Sequence, residues 1–176
     1  MRLLVTGASG FVGAHFAIEA KKKHHVFGCY FSNPLSLNGI TPIRIDLLSK
    51  RDRRTLSSLD IDAVVHLAAK IKAAPKGEES AAERARQINK EMMNAVLNLE
   101  KPVLYASSTA VHWNANIPYV QSRLEDEEFL RSSGIPYAIV RPSAPYGPRL
   151  IYHQPKHKES FHTLADIVRL SPVVPM

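Results

Sequence analysis

A glycine-rich turn close to the first residue constrains the fold of this chain more than any other stretch. Residues 2–13, RLLVTGASGFVG, place an apolar run before three evenly spaced glycines, Gly7, Gly10 and Gly13. The run predicts a buried strand, and the residues after it predict a helix that ends near Lys21–Lys23. One glycine can bend the chain, one can let a phosphate approach bare backbone, and one can let the helix pack on the strand. Because such a helix directs unpaired N–H groups and its positive dipole end at the turn, the pattern predicts an anion site; a turn without a ligand is the alternative.

Composition sets the outer limits of the fold. The 176 residues, 45% of them hydrophobic, suit one domain with a sizeable core. The single cysteine, Cys29, cannot form an internal disulfide, so we expect a small buried residue and a cytoplasmic protein. No stretch reaches the length of a membrane span, and the eight histidines are scattered without metal-ligand spacing, so we expect neither a membrane segment nor a metal site.

The net charge of +7 raises the question of nucleic acid as a partner. The basic residues are dispersed in short groups, Lys21–Lys23, Arg51–Arg54 and Lys156–Lys158, and none forms a motif with interleaved aromatic residues. A solvated surface with a general attraction for phosphate-bearing ligands accounts for them, so we expect no nucleic-acid partner.

Strand-like and helix-like segments alternate along the chain. Near-continuous apolar strands that alternate with helices indicate a parallel sheet covered by helices, so we predict a doubly wound α/β domain with strand order 3-2-1-4-5-6. After the first strand and helix, the predicted strands are 25–31, 42–46, 61–67, 102–106 and 136–142, and the predicted helices are 51–59, 79–99, 116–133 with Asn116 as its cap, and 161–170.

The tip of the second strand bears on the choice of cofactor. An acid at this position of a dinucleotide-binding fold bonds the ribose hydroxyls of NAD, whereas a neutral or basic tip leaves room for the extra phosphate of NADP. No acid lies between Glu19 and Asp46, and the tip carries Ser32 and Asn33. The sequence therefore favours NADP, without an arginine at the tip to settle the choice, and NAD stays open.

Hydroxyl groups cluster where the fifth strand ends. Residues 107–109, SST, follow that strand, and ligands of open α/β sheets lie at the carboxyl ends of the strands. On the next helix Tyr119 and Arg123 are four residues apart and so share a face. We expect these side chains to face the same crevice.

Several short segments follow one another in a recognisable order: Thr6–Gly13, Asp46–Leu47, His66–Ala69, Asn89, Tyr105–Ser108, Tyr119 and Arg141–Pro148. In these segments, which run from residue 2 to about 150, the chain resembles the extended short-chain dehydrogenase/reductases, a family that includes nucleotide-sugar epimerases, dehydratases and reductases. The resemblance implies a Rossmann fold that binds NAD or NADP and acts as an oxidoreductase or epimerase on a carbonyl or carbinol carbon of a nucleotide-linked sugar or similar small substrate.

The resemblance also implies roles for individual residues. Ser108 would polarise the substrate, Tyr119 would be the general acid/base, and Arg123 would stand where the family has a lysine. The implied cofactor-binding residues are Gly7, Ser9, Gly10, Phe11, Val12, Gly13, Ser32, Asn33, Asp46, Leu47, Leu67, Ala68, Ala69, Asn89, Tyr119, Arg123 and Pro142.

Arg123 is a departure from the family's pattern. A free phenol has a pKa near ~10, so a cation four residues after the tyrosine is used to favour proton transfer at neutral pH. Arginine keeps the charge, but its planar fork is less able than an ammonium to sit between ribose hydroxyls and a phenol ring. The substitution leaves cofactor binding in place and catalysis open.

Two further departures concern the substrate side. Only residues 109–118 separate Ser108 from Tyr119, which shortens the loop that completes the pocket in the sugar-modifying members. The chain also stops where the family continues into a smaller substrate-binding portion. We therefore divide it into an NAD(P)-binding domain, 1–150, and the start of an incomplete substrate-binding portion, 151–176. The chain is then either a fragment or a naturally short relative.

Several of these residues, and the chain as a whole, also have an interpretation that involves no catalysis. Asp46 could cap the turn after its strand, Asn89 could be a solvated helix residue, and Arg123 could pair with Glu127 at i,i+4. The acidic run 125–128 reads as a solvated helix face. For the whole chain, a non-catalytic NAD(P)-binding regulatory or sensing module is the alternative to an enzyme. The resemblance further implies that two copies pair through the two long helices, provided that their outer faces are apolar.

Overall fold

A computed structural model of the chain describes residues 1–71, 79–113, 117–148, 150–151 and 160–170. Within these residues lie six strands, β1 Arg2–Thr6, β2 His25–Tyr30, β3 Thr41–Arg44, β4 Ala63–His66, β5 Val103–Ala106 and β6 Tyr137–Val140. The helices are α1 Phe11–Ala20, α2 Lys50–Ser57, α3 Glu79–Leu97, α4 Pro118–Ser132 and α5 Ser160–Leu170, with a 3-10 turn at Thr109–His112.

The six strands form one sheet in the order β3-β2-β1-β4-β5-β6, and each pairs in parallel with its neighbours. This confirms the predicted doubly wound topology. Because all strands run the same way, the turns after β1, β2, β4 and β5 meet at one edge of the sheet, the edge where such folds place ligands. The order reverses between β1 and β4, so the glycine turn after β1 lies beside the residues that follow β4.

The two faces of the sheet are covered unequally. One face carries a large apolar core that α2, α3 and α4 cover, with Leu4, Val64 and Met93 fully buried in it. The other face packs on α1 and on the segment after β6 through Ile151. Cys29 is buried in the first core as predicted, and burial raises the pKa of its thiol to about 12. On the α1 side of β4, β5 and β6 an apolar groove of about 350 Å³ stays open.

Helix α4 departs from the predictions in two respects. Its N-cap is Ile117, which makes no side-chain cap, and Pro118 begins the first turn; the predicted cap, Asn116, lies outside the described residues. Only half of the acidic run is solvated, because Glu125 and Glu128 are exposed whereas Asp126 and Glu127 are buried. Both buried carboxylates lie toward β5 and β6, where basic and hydroxyl side chains bond to them.

The outer faces of α3 and α4 carry mostly charged and polar side chains. Leu124 is an exposed large apolar residue there, and an ion pair between Arg86 and Glu125 joins the two helices. The other exposed positions include Glu83, Arg84, Gln87, Lys90, Glu91, Glu125 and Glu128. The faces therefore lack the apolar surface on which the expected pairing of two copies depended, and pairing stays a prediction.

Candidate functional site

The glycine turn closes tightly on the residues that follow β4. Gly7 has a φ of +67°, which only glycine adopts without strain, and a Cβ there would stand 2.7 Å from the Ala68 nitrogen. A Cβ at Gly13 would stand 2.1 Å from the Gly7 carbonyl oxygen, so the first turn of α1 rests directly on the loop. At Gly10 a Cβ would meet only that same oxygen, at 3.2 Å. The geometry assigns the bend to Gly7 and the helix contact to Gly13.

A cleft of about 360 Å³ opens at this edge of the sheet, between the turns after β1, β2, β3 and β4. Ten of the residues predicted to bind a cofactor line it: Gly7, Ser9, Gly10, Ser32, Asn33, Asp46, Leu47, Leu67, Ala68 and Ala69. Gly10 is the N-cap of α1 and offers no side-chain cap, so no N-cap side chain competes for the N–H groups of the first turn. The cleft thus joins the glycine turn to the tips of β2 and β3.

Sequence reasoning missed other residues of the lining. Thr6 and Lys70 belong to it, as do Ile88 and Met92 of α3. Met92 follows Ile88 by four residues, which is the spacing of a buried helical stripe. Part of that stripe forms the floor of the cleft, and only the packing of α3 beside β4 reveals which part.

Other predicted residues lie outside the cleft. Phe11, Val12 and Pro142 line a second groove of about 610 Å³ between α1 and the segment after β6. The His15 ring nitrogen Nε2 lies 2.8 Å from the Pro148 carbonyl oxygen and fixes that segment against α1. This groove continues from the glycine turn toward the end of β6.

Asp46 caps the turn after its strand, as one interpretation had it, and it also lies in the wall of the cleft. Its carboxylate accepts a hydrogen bond of 2.9 Å from the Leu48 N–H, which caps the turn after β3, and the residue also lines the cleft. Its own N–H donates to the Asp52 carboxylate at 2.8 Å. The carboxylate is therefore held at a fixed place in the wall.

A buried polar contact ties β1 to the end of β4. The Thr6 hydroxyl lies 2.8 Å from His66 Nδ1 and accepts hydrogen bonds from the Leu67 and Ala68 N–H groups, each at 3.2 Å. Since two N–H groups already donate to this hydroxyl, its own proton is directed at Nδ1, and His66 is neutral. Burial, reinforced by the positive charge of Arg123, lowers the pKa of His66 to about 3.

Asn89 is buried, so the interpretation of it as a solvated helix residue is wrong. Its side-chain oxygen accepts from the Lys70 N–H at 2.7 Å, and its amide donates to the Lys70 carbonyl at 3.2 Å and to the Ser122 hydroxyl at 3.1 Å. It acts as a clamp between the turn after β4 and α4, and it does not line the cleft.

Tyr119 and Arg123 lie on the inner side of α4. Tyr119 is half-buried in the first turn, and its hydroxyl makes no hydrogen bond within the part of the chain that the structure describes. The Arg123 guanidinium carbon lies 5.5 Å from the Tyr119 ring centroid and 5.6 Å from that of Tyr105. These distances place the cation between two aromatic rings.

Arg123 pairs with Asp126 and not, as one interpretation had it, with Glu127. Its Nη2 lies 3.1 Å from the Asp126 carboxylate, which also accepts a 2.8 Å hydrogen bond from the Tyr105 hydroxyl. Arg123 is only 2% exposed, and its Nε has no partner among the described residues. Burial raises the pKa of Asp126, while Arg123 and Tyr105 act in the opposite direction.

Glu127 belongs to a separate cluster at the end of β6. Its carboxylate bonds Arg141 through two contacts of 2.9 and 2.6 Å and Arg131 at 2.6 Å. The Arg141 hydrogen bonds lower the pKa of Glu127 to about 2, and Arg131 contributes in the same direction. The nearby Ser107 hydroxyl is buried and has no hydrogen-bond partner among the described residues.

The Ser108 side chain caps the 3-10 turn that follows β5. It is half-buried, and its Oγ accepts a 3.1 Å hydrogen bond from the Ala110 N–H, which caps the 3-10 turn. The hydroxyl proton is not used in that bond. The 3-10 turn contacts α4, so Ser108 and Tyr119 belong to adjoining elements at the carboxyl edge of the sheet.

A parallel sheet with this strand order and a glycine turn at the start of α1 define a Rossmann domain of the dinucleotide-binding class. The sequence profile of the NAD dependent epimerase/dehydratase family matches residues 3–170, and the chain belongs to that family. The resemblance noted from the sequence is confirmed.

Solved structures support the same placement. The UDP-glucuronic acid 4-epimerase of Bacillus cereus in complex with NAD has a TM-score of 0.71 and 25% sequence identity, over 95% of this chain and 62% of the epimerase chain. The Bordetella bronchiseptica enzyme WbmH in complex with NAD+ has a TM-score of 0.70 and 19% identity, over 85% of this chain and 58% of WbmH, and shares the fold. The chain spans less than two thirds of the length of either protein.

The described residues contain neither a candidate membrane span nor a candidate metal cluster. No helix among them combines the length and the apolar character needed to cross a bilayer. Within the same ranges, no three His, Cys, Asp or Glu side chains come together in a group that could hold a metal ion.

Proposed function

We propose that this chain is the cofactor-binding part of an NADP-dependent oxidoreductase or epimerase that acts on a carbonyl or carbinol carbon of a nucleotide-linked sugar. One observation carries the proposal: among the described residues the Tyr119 hydroxyl has no hydrogen-bond partner at the carboxyl edge of the sheet, and a guanidinium lies 5.5 Å from its ring. The similarity to a UDP-glucuronic acid 4-epimerase in complex with NAD supports the reaction class.

The residues of the cleft fit a dinucleotide. The backbone at Gly7 and Gly10 is bare, and side chains on it would meet neighbouring backbone atoms at 2.7 to 3.2 Å. The pyrophosphate would bind there, at the N-terminus of α1, where N–H groups and the helix dipole favour an anion. Asp46 and Leu47 would contact the adenine, Ser32 and Asn33 the adenosine ribose, and Ala68 and Ala69 the path toward the nicotinamide.

NADP is the cofactor that the tip of β2 favours. Ser32 and Asn33 line the cleft there and carry no charge, so a phosphate on the ribose meets no carboxylate at the tip. The two similar structures hold NAD or NAD+, so discrimination between the cofactors depends on this chain's own residues.

Tyr119 is the group that would move a proton. A bound nicotinamide supplies a hydride donor or acceptor, and the Tyr119 hydroxyl oxygen would give a proton to, or take one from, the substrate oxygen on the same carbon. Ser108 would orient that oxygen through its free hydroxyl proton. The Arg123 guanidinium lies beside the Tyr119 ring and is paired with the Asp126 carboxylate at 3.1 Å.

The same ion pair supports the second candidate, a non-catalytic NAD(P)-binding module. In this candidate Arg123 is structural, and its buried pairing with Asp126 keeps the guanidinium away from a cofactor ribose. The cofactor would bind without hydride transfer and would serve structure or signalling.

Two measurements test the proposal. Calorimetric titration with NADPH and NADH is expected to give micromolar binding that favours NADPH. Oxidation of NADPH by nucleotide-linked keto sugars, followed by absorbance, is expected to disappear in Tyr119→Phe and to persist in Tyr137→Phe, which removes the same hydroxyl from an exposed tyrosine of β6.

The outcomes separate the two candidates. Binding without turnover by the chain joined to its substrate-binding portion would support the non-catalytic module. Turnover that survives in Tyr119→Phe would remove the proton-transfer role from Tyr119. Binding of neither nucleotide would contradict both candidates.

A further inference from the structure

An arginine stands beside the tip of β2, although β2 itself carries none. Arg44 is the last residue of β3, and its Cα pairs with that of Tyr30, the last residue of β2. Its Nε donates a hydrogen bond of 3.4 Å to the Phe31 carbonyl. Phe31, Ser32 and Asn33 are consecutive in the wall of the cleft. Arg44 is not itself a lining residue, but this contact places its guanidinium at the rim, beside the carbonyl that directly precedes Ser32.

Most of the donors of Arg44 are free. The contact through Nε is long, and the two terminal nitrogens have no hydrogen-bond or ion-pair partner among the residues that the structure describes. Nor does any side-chain hydrogen bond involve Ser32 or Asn33 within those residues. The carboxylate of Asp46, two residues after Arg44, instead accepts from the Leu48 N–H. At one rim, an exposed guanidinium whose terminal nitrogens are unpaired among the described residues therefore lies near two neutral hydrogen-bonding side chains.

This combination has the chemistry of a phosphate-monoester site. A guanidinium presents a fork of N–H donors that matches phosphate oxygens, and charge-assisted hydrogen bonds of this kind are stronger than neutral ones. The hydroxyl of Ser32 and the amide of Asn33 can complete the set of donors. In a Rossmann domain the tip of β2 faces the adenosine ribose, so the phosphate that reaches this rim is the one on the ribose 2′-oxygen.

We propose that Arg44, with Ser32 and Asn33, binds the 2′-phosphate of NADP and makes this chain select NADP over NAD. The inference rests on the dinucleotide site of the proposed function and names the side chain that supplies its preference. Arg44 comes from a neighbouring strand, and the parallel pairing of β3 with β2 brings it to the tip.

Calorimetry on the whole chain tests the inference with two pairs of probes, NADP+ against NAD+ and 2′,5′-ADP against 5′-AMP. In Arg44→Gln, affinity for the two 2′-phosphorylated probes is expected to fall about tenfold to a hundredfold, as for the loss of a charged hydrogen-bonding partner, while affinity for NAD+ and 5′-AMP stays within about twofold. The control is Arg54→Gln, which makes the same charge change at an exposed position of α2. It is expected to alter neither pair.

Each result separates the inference from the dinucleotide site on which it rests. NAD+ binding without a preference for NADP+ in the parent chain, or an unchanged preference in Arg44→Gln, would overturn the role of Arg44 and leave the site intact. An equal loss for all four probes, with an unchanged thermal melting curve, would also overturn the selective role. No binding of any probe to the parent chain would overturn both the inference and the proposed site.

Discussion

Arg123 Nη2 and the Asp126 carboxylate lie 3.1 Å apart, and both side chains are buried under the sheet. The Tyr105 hydroxyl bonds the same carboxylate, so strand β5 takes part in the ion pair. The ion pair holds the positive charge of Arg123 in place beside the Tyr119 ring. It also makes Asp126 the residue whose loss leaves a buried charge without a partner.

Asp126→Asn is therefore expected to destabilise the protein strongly. Breaking a buried ion pair from one side leaves the other charge uncompensated, which costs about 3 kcal/mol or more in the free energy of unfolding. Urea denaturation measures the change. The control is Glu128→Gln on the exposed side of the same helix, where the loss is expected to stay below about 0.5 kcal/mol. Equal losses in the two variants would contradict the structural importance of the pair.

Glu127 makes stability depend on pH in the acid range. Its pKa is lowered to about 2 in the folded protein from an ordinary value of 4.5, so its contribution is fully present above pH 4.5 and is lost as the pH falls toward 2. Urea midpoints measured from pH 6 to 2 are expected to fall more steeply for the parent than for Glu127→Gln, and the gap between the two is expected to close at low pH. A gap that stays constant across this range would show that Glu127 is not the group responsible.

Gly13→Ala tests the contact between α1 and the glycine turn. A Cβ at this position would lie 2.1 Å from the Gly7 carbonyl oxygen, and because the obstructing atom is backbone, the helix must shift. We expect a loss of at least about 3 kcal/mol in the free energy of unfolding, together with weaker nucleotide binding. Gly134→Ala is the comparison: its φ of +73° is strained for alanine, but a Cβ there meets nothing within 4 Å, so a loss of about 1 kcal/mol is expected. A smaller loss for Gly13→Ala than for Gly134→Ala would refute the tight contact.

Thr6→Val removes a hydroxyl without changing the shape of the side chain. His66 Nδ1 and the Leu67 and Ala68 N–H groups would then lose a buried partner, at a cost of about 1–3 kcal/mol in the free energy of unfolding. Because Ala68 lines the cleft, calorimetric affinity for NADPH is expected to fall as well. Thr6→Ser keeps the hydroxyl and is expected to retain most of the stability and affinity. A loss in Thr6→Ser as large as that in Thr6→Val would contradict the role of the hydroxyl.

Much of the fold could be predicted from the sequence because its signals are local. Apolar strands, the glycine turn and helical periodicity predict the strand order, and the order in turn brings ten of the predicted cofactor residues to one cleft. The directions of individual polar side chains depend on packing and could not be obtained in this way. Arg44 is an example, since its place beside the tip of β2 follows from the register of two strands.

The sequence of α4 contains an indication that part of its acidic run is buried. Charge alone indicates a solvated face, and Arg123 with Glu127 has the familiar i,i+4 spacing. Yet Val120, Arg123, Glu127 and Leu130 recur at intervals of three and four, which is the spacing of one helix face, and Val120 and Leu130 are buried. The apolar ends of that face were the indication that its charged middle is buried too.

Asn89 gives the cleft a physical connection to the helix that carries Tyr119. One side chain holds the Lys70 backbone through two hydrogen bonds and the Ser122 hydroxyl of α4 through a third. The turn after β4 and the first half of α4 are therefore expected to open together, as one cooperative unit of local unfolding. A ligand that orders the turn at Lys70 is then expected to slow amide hydrogen exchange in the first half of α4 as well, at a distance from the ligand itself.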